Sequence, residues 1–325
     1  MRDVMSRLSN RLKCDAGFFR WRIDTIQYGL DWTHDTSDKP SMPQPLIDLG
    51  GDPQQPTLHL ALANGFVPQT YVPLLRPLRD EYHAVCLPPR ALWGAGDPPP
   101  VTPEQTWQVL ADDLLAGFEQ YDLQDVIAVG HSFGGIASLL AVLKDPSRFK
   151  ALILLDPTIL SQEICEAMRV AQAQGVADQH PLAQLALRRR DHFESVESAY
   201  ERFRGKRLFA DWPDEVVRLY AQHGTKPCAD GDGRCLTWSP AWEAFYFMTG
   251  YVDIWQDVPR LADVDVPMLF LAGAESDTYL PASAAKVRDL VPNATHMSIA
   301  GYGHLFPQAA PEQTASVIQT WLQQL

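Results

Sequence analysis

A serine between two glycines is the first group in this sequence whose type and spacing suggest chemistry. The segment Gly130-His-Ser132-Phe-Gly134 fits the pattern G-x-S-x-G. It joins an apolar run typical of a buried strand to a run typical of a helix, Gly134 to Lys144. A tight strand-to-helix turn needs small residues on both sides of the serine and exposes its hydroxyl as a nucleophile. We therefore expect Ser132 to be a catalytic nucleophile.

Two backbone N–H groups are candidates for stabilising the negative charge that develops during attack by this serine. Phe133 follows Ser132 at the start of the predicted helix, where backbone donors have no partner within the helix. The second donor should come from the loop after an early strand, Leu58 to Ala63. Asn64-Gly-Phe66 forms that loop, so the sequence predicts an oxyanion hole from the N–H groups of Phe66 and Phe133.

A base and an acid should follow in the chain order Ser, Asp, His. His304 lies after the last predicted strand and before the final helix, so we expect it to take the proton of Ser132. Asp277 ends the loop after the preceding strand and is the preferred acid that orients His304. Asp156 also ends a predicted strand at this edge and is the alternative acid, and Glu275 lies two residues from Asp277.

The elements around these residues indicate an α/β fold. Six short apolar runs have the length and composition of strands: Leu58 to Ala63, His83 to Leu87, Val126 to Gly130, Ala151 to Leu155, Pro267 to Ala272 and Thr295 to Ala300. Helical patterns lie between them: Tyr71 to Arg79, Pro103 to Tyr121, Gly134 to Lys144, Ser283 to Leu290 and Pro311 to Leu325. This alternation predicts βαβ units in a mostly parallel sheet flanked by helices.

The alternation breaks between Asp156 and Val266, where several helical patterns occur and no convincing buried strand. We predict a helical cap inserted between two late strands. The predicted organisation is a first part of the core at residues 1–156, a cap or lid at 157–257 and a second part of the core at 258–325. The cap is rich in aromatic side chains, and those expected to line a substrate pocket are Trp212, Trp238, Trp242 and Tyr246.

Several of these segments resemble the α/β-hydrolase superfamily, in its capped branch of serine esterase- and lipase-like proteins. The segments include Ala63-Asn-Gly-Phe66, Gly130-His-Ser-Phe-Gly-Gly135 and Leu155-Asp-Pro157, and the similarity runs from about Leu58 to the end, except for much of the cap. The resemblance implies an α/β-hydrolase fold with a cap. Relatives with an aspartate nucleophile, such as epoxide hydrolases and haloalkane dehalogenases, are disfavoured because position 132 is serine.

The sequence favours a serine hydrolase that cleaves a carboxylic ester of a small to medium apolar acyl substrate through an acyl-enzyme intermediate. Alternatives with the same three groups are cleavage of a C–C bond, a lactone or a thioester, and perhydrolysis. A non-catalytic ligand-binding member of the fold is a further alternative, which the complete set of groups disfavours. The expected partner is a small-molecule substrate, no cofactor is expected, and the oligomeric state is left open.

Charge and hydropathy exclude other classes. A net charge of −13 argues against nucleic-acid binding, which needs clustered Lys and Arg. No run reaches the roughly 18 apolar residues of a membrane span. The segment Met1 to Phe19 lacks the apolar core of a signal peptide, so the sequence predicts a soluble protein in the cytoplasm.

Five scattered cysteines do not form the pattern of a disulfide framework. Cys228 and Cys235 are the only close pair, and in a reducing compartment we expect two free thiols there. The alternatives are a local disulfide or, together with His223, a zinc loop that would lack a fourth ligand. We therefore expect no metal site.

Overall fold

The computed structural model describes residues 44–94, 96–102 and 105–325. The segment over which the sequence predicts no signal peptide lies outside the described residues. Seven strands form the central sheet: β1 (Ile47–Gly50), β2 (Thr57–Ala61), β3 (His83–Cys86), β4 (Val126–His131), β5 (Phe149–Leu155), β9 (Met268–Gly273) and β10 (Thr295–Ile299). Three short strands lie between β5 and β9: β6 (His192–Phe193), β7 (Thr225–Pro227) and β8 (Arg234–Leu236).

The helices of the described residues alternate with the strands of the central sheet or lie between β5 and β9. Six belong to the alternating part: α1 (Val72–Leu75), α2 (Gln108–Gln120), α3 (Phe133–Lys144), α10 (Pro281–Leu290), α11 (Phe306–Ala309) and α12 (Pro311–Leu322). The other six follow β5: α4 (Gln162–Ala173), α5 (Pro181–Leu187), α6 (Val196–Arg204), α7 (Asp214–His223), α8 (Pro240–Met248) and α9 (Ile254–Asp257). Short 3-10 turns occur at Pro68–Tyr71, Arg76–Leu78, Arg90–Leu92, Pro146–Arg148, Ala177–Gln179, Arg207–Phe209 and Val258–Asp263.

The central sheet has the order β1-β3-β2-β4-β5-β9-β10. The pair β1–β3 is antiparallel, and the other neighbouring pairs are parallel. Strands β4 and β5 lie in the middle, and all their residues except Lys150 are buried, which explains their nearly continuous apolar sequence. The mostly parallel sheet and all six predicted strands are present. The edge strand β1 was not predicted, because its four residues are mostly half-buried or exposed and carry little apolar signal.

Residues 157–257, which we call the inserted segment, lie between β5 and the approach to β9. They contain the helices α4 to α9, of which the amphipathic patterns of the sequence predict the first four. They also contain a three-stranded antiparallel sheet in the order β6-β8-β7, which the expectation of a helical cap did not include. These strands have only two or three residues each, too few to show a two-residue alternation.

Cys228 and Cys235 form a disulfide in the hairpin between β7 and β8. The expectation of two free thiols is therefore corrected, because the antiparallel pairing of the hairpin brings the two Cα atoms to 5.0 Å. Cys86 and Cys165 are buried free thiols. Among the described residues, no helix is long and apolar enough to cross a membrane.

Candidate active site

Ser132 lies in the turn between β4 and α3 with φ = 57° and ψ = −119°, a region that residues with a side chain rarely adopt. Its N–H donates to the carbonyl of Leu155 on the neighbouring strand (3.0 Å). A Cβ at Gly130 would lie 2.6 Å from the carbonyl oxygen of Gly134, and one at Gly134 would lie 2.4 Å from the backbone of Ala61. The turn can therefore form only with glycine at both positions.

Three side chains from three loops meet at this edge of the sheet. The hydroxyl of Ser132 lies 2.8 Å from Nε2 of His304, and Nδ1 of His304 lies 2.6 Å from the carboxylate of Asp156. A carboxylate only accepts, so Nδ1 carries the proton and Nε2 is free to accept the hydroxyl proton of Ser132. Ser132 and Asp156 are buried, and the His304 side chain is 18% exposed. This is the arrangement in which a histidine can act as base toward a serine.

Asp156, the alternative acid, replaces Asp277 as the partner of His304. Asp156 is fully buried and also accepts hydrogen bonds from the N–H of Gly273 (2.8 Å) and the hydroxyl of Ser276 (2.5 Å). Asp277 is exposed, and its carboxylate accepts a hydrogen bond from the hydroxyl of Thr278, at 3.5 Å. The preference for Asp277 is corrected because its loop turns Ser276 inward, toward the carboxylate of Asp156, and leaves Asp277 exposed. Glu275 is exposed as well.

The two predicted oxyanion donors differ in their present partners. Phe133 opens α3, so its N–H belongs to the first turn, which has no acceptor within the helix. The N–H of Phe66 donates to the carbonyl of Ala63 (3.2 Å), closing a turn that contains Gly65 at φ = 82°. Phe133 thus offers a donor beside Ser132, whereas Phe66 uses its N–H within the loop in this state.

Thr158 contacts the nucleophile and was missed by the sequence analysis. Its hydroxyl lies 3.1 Å from that of Ser132, and its N–H donates to the carbonyl of Ser132 (3.3 Å). Because the proton of Ser132 points to His304, Thr158 donates to the serine oxygen. The only signal in the sequence was its place two residues after Asp156, at the start of the inserted segment.

The four aromatic residues expected to line a pocket are all buried, with at most 5% of their surface exposed. Trp212 packs against the ring of Phe66, with ring centres 5.7 Å apart. Tyr246 packs against Phe133 at 4.7 Å, and Trp238 and Trp242 pack against Tyr246 at 6.0 and 5.6 Å. The inserted segment therefore contacts the side chains of both residues whose N–H groups are the predicted oxyanion donors.

A partly buried charged pair of the inserted segment lies against the loop of Gly65. Arg189 pairs with Glu243 and also donates to the hydroxyl of Tyr220 (2.8 Å), which donates in turn to the carbonyl of Gly65 (3.1 Å). The side chain of Asn64 donates to the backbone carbonyl of Glu243 (3.0 Å). A Cβ built on Gly65 would lie 3.1 Å from the carboxyl carbon of Glu243. The negatively charged carboxylate of Glu243 therefore lies directly against this loop.

No group of three or more His, Cys, Asp or Glu side chains within the described ranges could hold a metal ion.

Comparison with known proteins places this geometry in context. The model of a family described as the alpha/beta hydrolase family matches residues 60–317. A 2-(acetamidomethylene)succinate hydrolase from Mesorhizobium japonicum is 25% identical over 276 residues, which cover 85% of this chain and 90% of that protein. Among solved structures, a thioesterase domain from the curacin biosynthetic pathway superposes with a TM-score of 0.66 at 19% identity, covering 83% of this chain and 93% of the other. A malate-bound thermophilic esterase from Thermogutta terrifontis gives a TM-score of 0.59 at 21% identity, covering 86% and 93%.

Proposed function

The chain belongs to the alpha/beta hydrolase family, and we propose that within it the protein is a serine hydrolase of carboxylic esters with a small to medium apolar acyl group. The observation that carries this proposal is the array Ser132–His304–Asp156, with contacts of 2.8 and 2.6 Å. An oriented imidazole within hydrogen-bond distance of a serine hydroxyl, on a strained turn at the edge of the sheet, is the arrangement that acyl transfer needs.

The mechanism follows from the hydrogen bonds. His304 Nε2 takes the proton of Ser132 while Oγ attacks the ester carbonyl, and Asp156 holds Nδ1–H so that the correct nitrogen faces the serine. The N–H of Phe133 stabilises the oxyanion of the tetrahedral intermediate, and a small shift of the loop would free the N–H of Phe66 to join it. His304 returns the proton to the leaving alcohol. Water then attacks the acyl-enzyme, giving a proton to His304 and restoring the hydroxyl of Ser132.

The surroundings of Ser132 support a neutral, apolar acyl group. The rings of Trp212 and Tyr246 pack against those of Phe66 and Phe133, the two residues that carry the predicted oxyanion donors, so apolar side chains surround these donors. Arg189 is already paired with Glu243, whose carboxyl group lies against the loop of Gly65. The Mesorhizobium relative is named for a succinate derivative. A substrate carboxylate in this protein would have to compete with Glu243 for Arg189, which disfavours such a substrate.

We propose that the inserted segment acts as a cap. Ser132 is only 8% exposed, and the aromatic rings that cover its neighbours come from residues 157–257. A substrate must displace part of this cover to reach the hydroxyl. The cap therefore selects the acyl group, whereas the edge of the sheet carries the chemistry.

The test is a set of p-nitrophenyl esters from acetate to octanoate, with a thioester analogue, assayed with the unsubstituted protein and Ser132→Ala. We expect Ser132→Ala to lower kcat by a factor of about 10³ or more without changing the melting temperature. A fluorophosphonate probe should label Ser132 and no other serine, as read by peptide mass spectrometry.

Ser138→Ala is the matched control, because Ser138 is a buried serine of α3 whose hydroxyl has no hydrogen-bond partner in the described structure. It should retain full activity and labelling. Turnover by Ser132→Ala at the unsubstituted rate, or labelling at another residue, would exclude the proposed mechanism.

A further inference from the structure

A second buried histidine, His131, lies directly before Ser132 and takes no part in the catalytic array. Its Nε2 lies 3.0 Å from the backbone carbonyl oxygen of His304, and its Nδ1 lies 2.7 Å from the hydroxyl of Tyr71. The same hydroxyl accepts the N–H of Ala63 (3.1 Å). His131 and Tyr71 are fully buried. One continuous chain of hydrogen bonds therefore joins Ala63, Tyr71, His131 and His304.

The direction of each hydrogen bond in this chain is determined by the groups at its ends. A carbonyl only accepts, so Nε2 of His131 carries its proton and donates to His304. In a neutral imidazole Nδ1 then accepts, so the hydroxyl of Tyr71 donates to it. The oxygen of Tyr71 is left free to accept from Ala63. All groups are satisfied only when His131 is neutral and in the Nε2–H form.

Burial keeps His131 in this form. Burial and the neighbouring His304 lower the pKa of His131 well below its ordinary value, and the hydrogen bond to the carbonyl of His304 opposes them only in part. Burial likewise raises the pKa of Tyr71, so its hydroxyl keeps its proton. His131 thus remains uncharged although the centres of its ring and that of His304 are only 5.2 Å apart. It does not compete with His304 for a proton.

The chain of hydrogen bonds connects loops that the sheet alone holds apart. Ala63 follows β2 and begins the predicted oxyanion loop, His131 ends β4 beside the nucleophile, and His304 follows β10. In the sheet, β4 and β10 are separated by β5 and β9. The side chains of Tyr71 and His131 therefore provide a direct link across this distance.

We propose that Tyr71 and His131 are positioning residues, which hold the oxyanion loop and the loop of His304 in fixed register with Ser132. This inference rests on the proposed hydrolase function. Neither residue contacts the substrate in this mechanism, so their loss should lower kcat and leave KM nearly unchanged. A misplacement of reacting groups by about 1 Å can cost on the order of 100-fold in rate.

The experiment compares two substitutions of His131 that differ in one hydrogen bond. His131→Leu removes both bonds, whereas His131→Gln offers an amide N–H where Nε2–H donates to His304. With p-nitrophenyl butyrate, we expect His131→Leu and Tyr71→Phe to lower kcat by roughly 10- to 100-fold, with KM within about twofold of the unsubstituted value. His131→Gln should recover most of this loss.

His59→Leu is the control for stability. His59 is equally buried and uncharged, because burial lowers its pKa to about 3, and it accepts the N–H of Leu87 (3.1 Å) away from the catalytic loops. Both His59→Leu and His131→Leu should lower the melting temperature, because each removes a buried hydrogen bond. In His59→Leu, however, kcat should stay within about twofold of the unsubstituted value, because the lost hydrogen bond lies outside the catalytic loops. Equal kcat losses in His59→Leu and His131→Leu, or no recovery in His131→Gln, would overturn the proposal.

Nitrogen-15 NMR of protein that contains nitrogen-15-labelled histidine reports the protonation of each imidazole ring, and it does not depend on enzymatic activity. The signals of His131 should show a neutral Nε2–H ring at neutral pH. Tyr71→Phe, which removes one oxygen atom and is the variant most certain to fold, should shift the signals of both His131 and His304. An unshifted His304 in this variant contradicts the proposal even if kcat falls. Absence of esterase activity in the unsubstituted protein together with the expected shifts would instead refute the proposed function alone.

Discussion

The catalytic edge of the sheet and the inserted segment are held in place by different interactions. At the sheet edge, the backbone around Ser132 and Asp156 adopts positive φ values, and hydrogen bonds of 2.5 to 3.1 Å join the loops. In the inserted segment, Trp212 and Tyr246 pack their rings against Phe66 and Phe133 of the core, and hydrogen bonds of Tyr220 and Glu243 reach the loop of Gly65. Under the proposed function, we expect the sheet edge to fix the reacting atoms and the inserted segment to determine what lies against the acyl group.

This difference leads to a general expectation for substitutions in the two regions. A change at the sheet edge should affect every substrate by a similar factor, because it alters the attack of Ser132 itself. A change in the inserted segment should alter the ratio between substrates, because it alters what lies against the acyl group. Three predictions follow, from the largest expected effect to the smallest.

Asp156→Asn should lower kcat by roughly 10² to 10⁴ for all esters. The amide keeps the shape of the carboxylate, but it can donate to Nδ1 of His304 and so favour the wrong tautomer. The carboxylate of Asp156 also accepts from Gly273 and Ser276, so the melting temperature should fall moderately. Steady-state kinetics and thermal unfolding of the variant measure the two effects.

Asp277→Asn is the matched control, because Asp277 is exposed and lies one residue after Ser276 in the loop that contacts Asp156. Its kcat should stay within about twofold of the unsubstituted value, as is usual for exposed sites. If Asp277→Asn were the more damaging substitution, the acid would have to be reassigned.

The contrast between Asp156 and Asp277 shows what the sequence can predict at the sheet edge. The strands, the turn at Ser132 and the place of His304 follow from local patterns: apolar runs, small residues at a tight turn and chain order. The acid does not, because β5 and β9 both end at the same edge and both are followed by an aspartate. The choice depends on which side chain turns inward, and at β9 that side chain is Ser276.

In the inserted segment the sequence predicted helices well and their packing poorly. The four helices α4 to α7 follow amphipathic patterns, which are local. The pairing of β6 with β8 and the pair Arg189–Glu243, 54 residues apart, join distant parts of the sequence. Cys228 and Cys235 are only seven positions apart, but their pairing depends on a hairpin whose strands are too short to be recognised in the sequence. The hydrogen bonds of Tyr71 and His131 were missed for the same reason, since the two residues are 60 positions apart.

Glu243→Gln should change substrate choice more than catalysis. The variant leaves the guanidinium of Arg189 without its carboxylate partner beside the oxyanion loop, where it can pair with a carboxylate of the substrate. We expect the ratio of kcat/KM for mono-p-nitrophenyl succinate to that for p-nitrophenyl butyrate to rise by about tenfold, equivalent to about 1.4 kcal/mol. The two substrates have acyl chains of equal length and differ in charge.

Glu215→Gln serves as the control, because Glu215 pairs with Arg76 and both side chains are more than half exposed. It should leave the ratio unchanged, since exposed pairs contribute little. A uniform loss with both substrates in Glu243→Gln would show that the pair only stabilises the segment, and it would remove the argument for a neutral acyl group.

Removal of the disulfide Cys228–Cys235 tests whether the inserted segment can be destabilised without a change in the reactivity of Ser132. Cys228 and Cys235 close a loop of only a few residues, so the replacement of both by serine should lower the free energy of unfolding by about 2 kcal/mol. The hairpin is otherwise anchored within the segment, where Thr225 donates to Ala221 and Arg234 to Gln222, both on α7. Because these bonds do not reach Ser132 or His304, the rate of fluorophosphonate labelling should stay within about twofold of the unsubstituted rate, since changes at distant sites act nearly independently.

Thermal unfolding of the unsubstituted protein with and without a reductant measures how much the disulfide contributes to stability. A labelling rate that falls together with stability would mean that the two regions are coupled, and the division between a fixed edge and an adjustable segment would have to be abandoned.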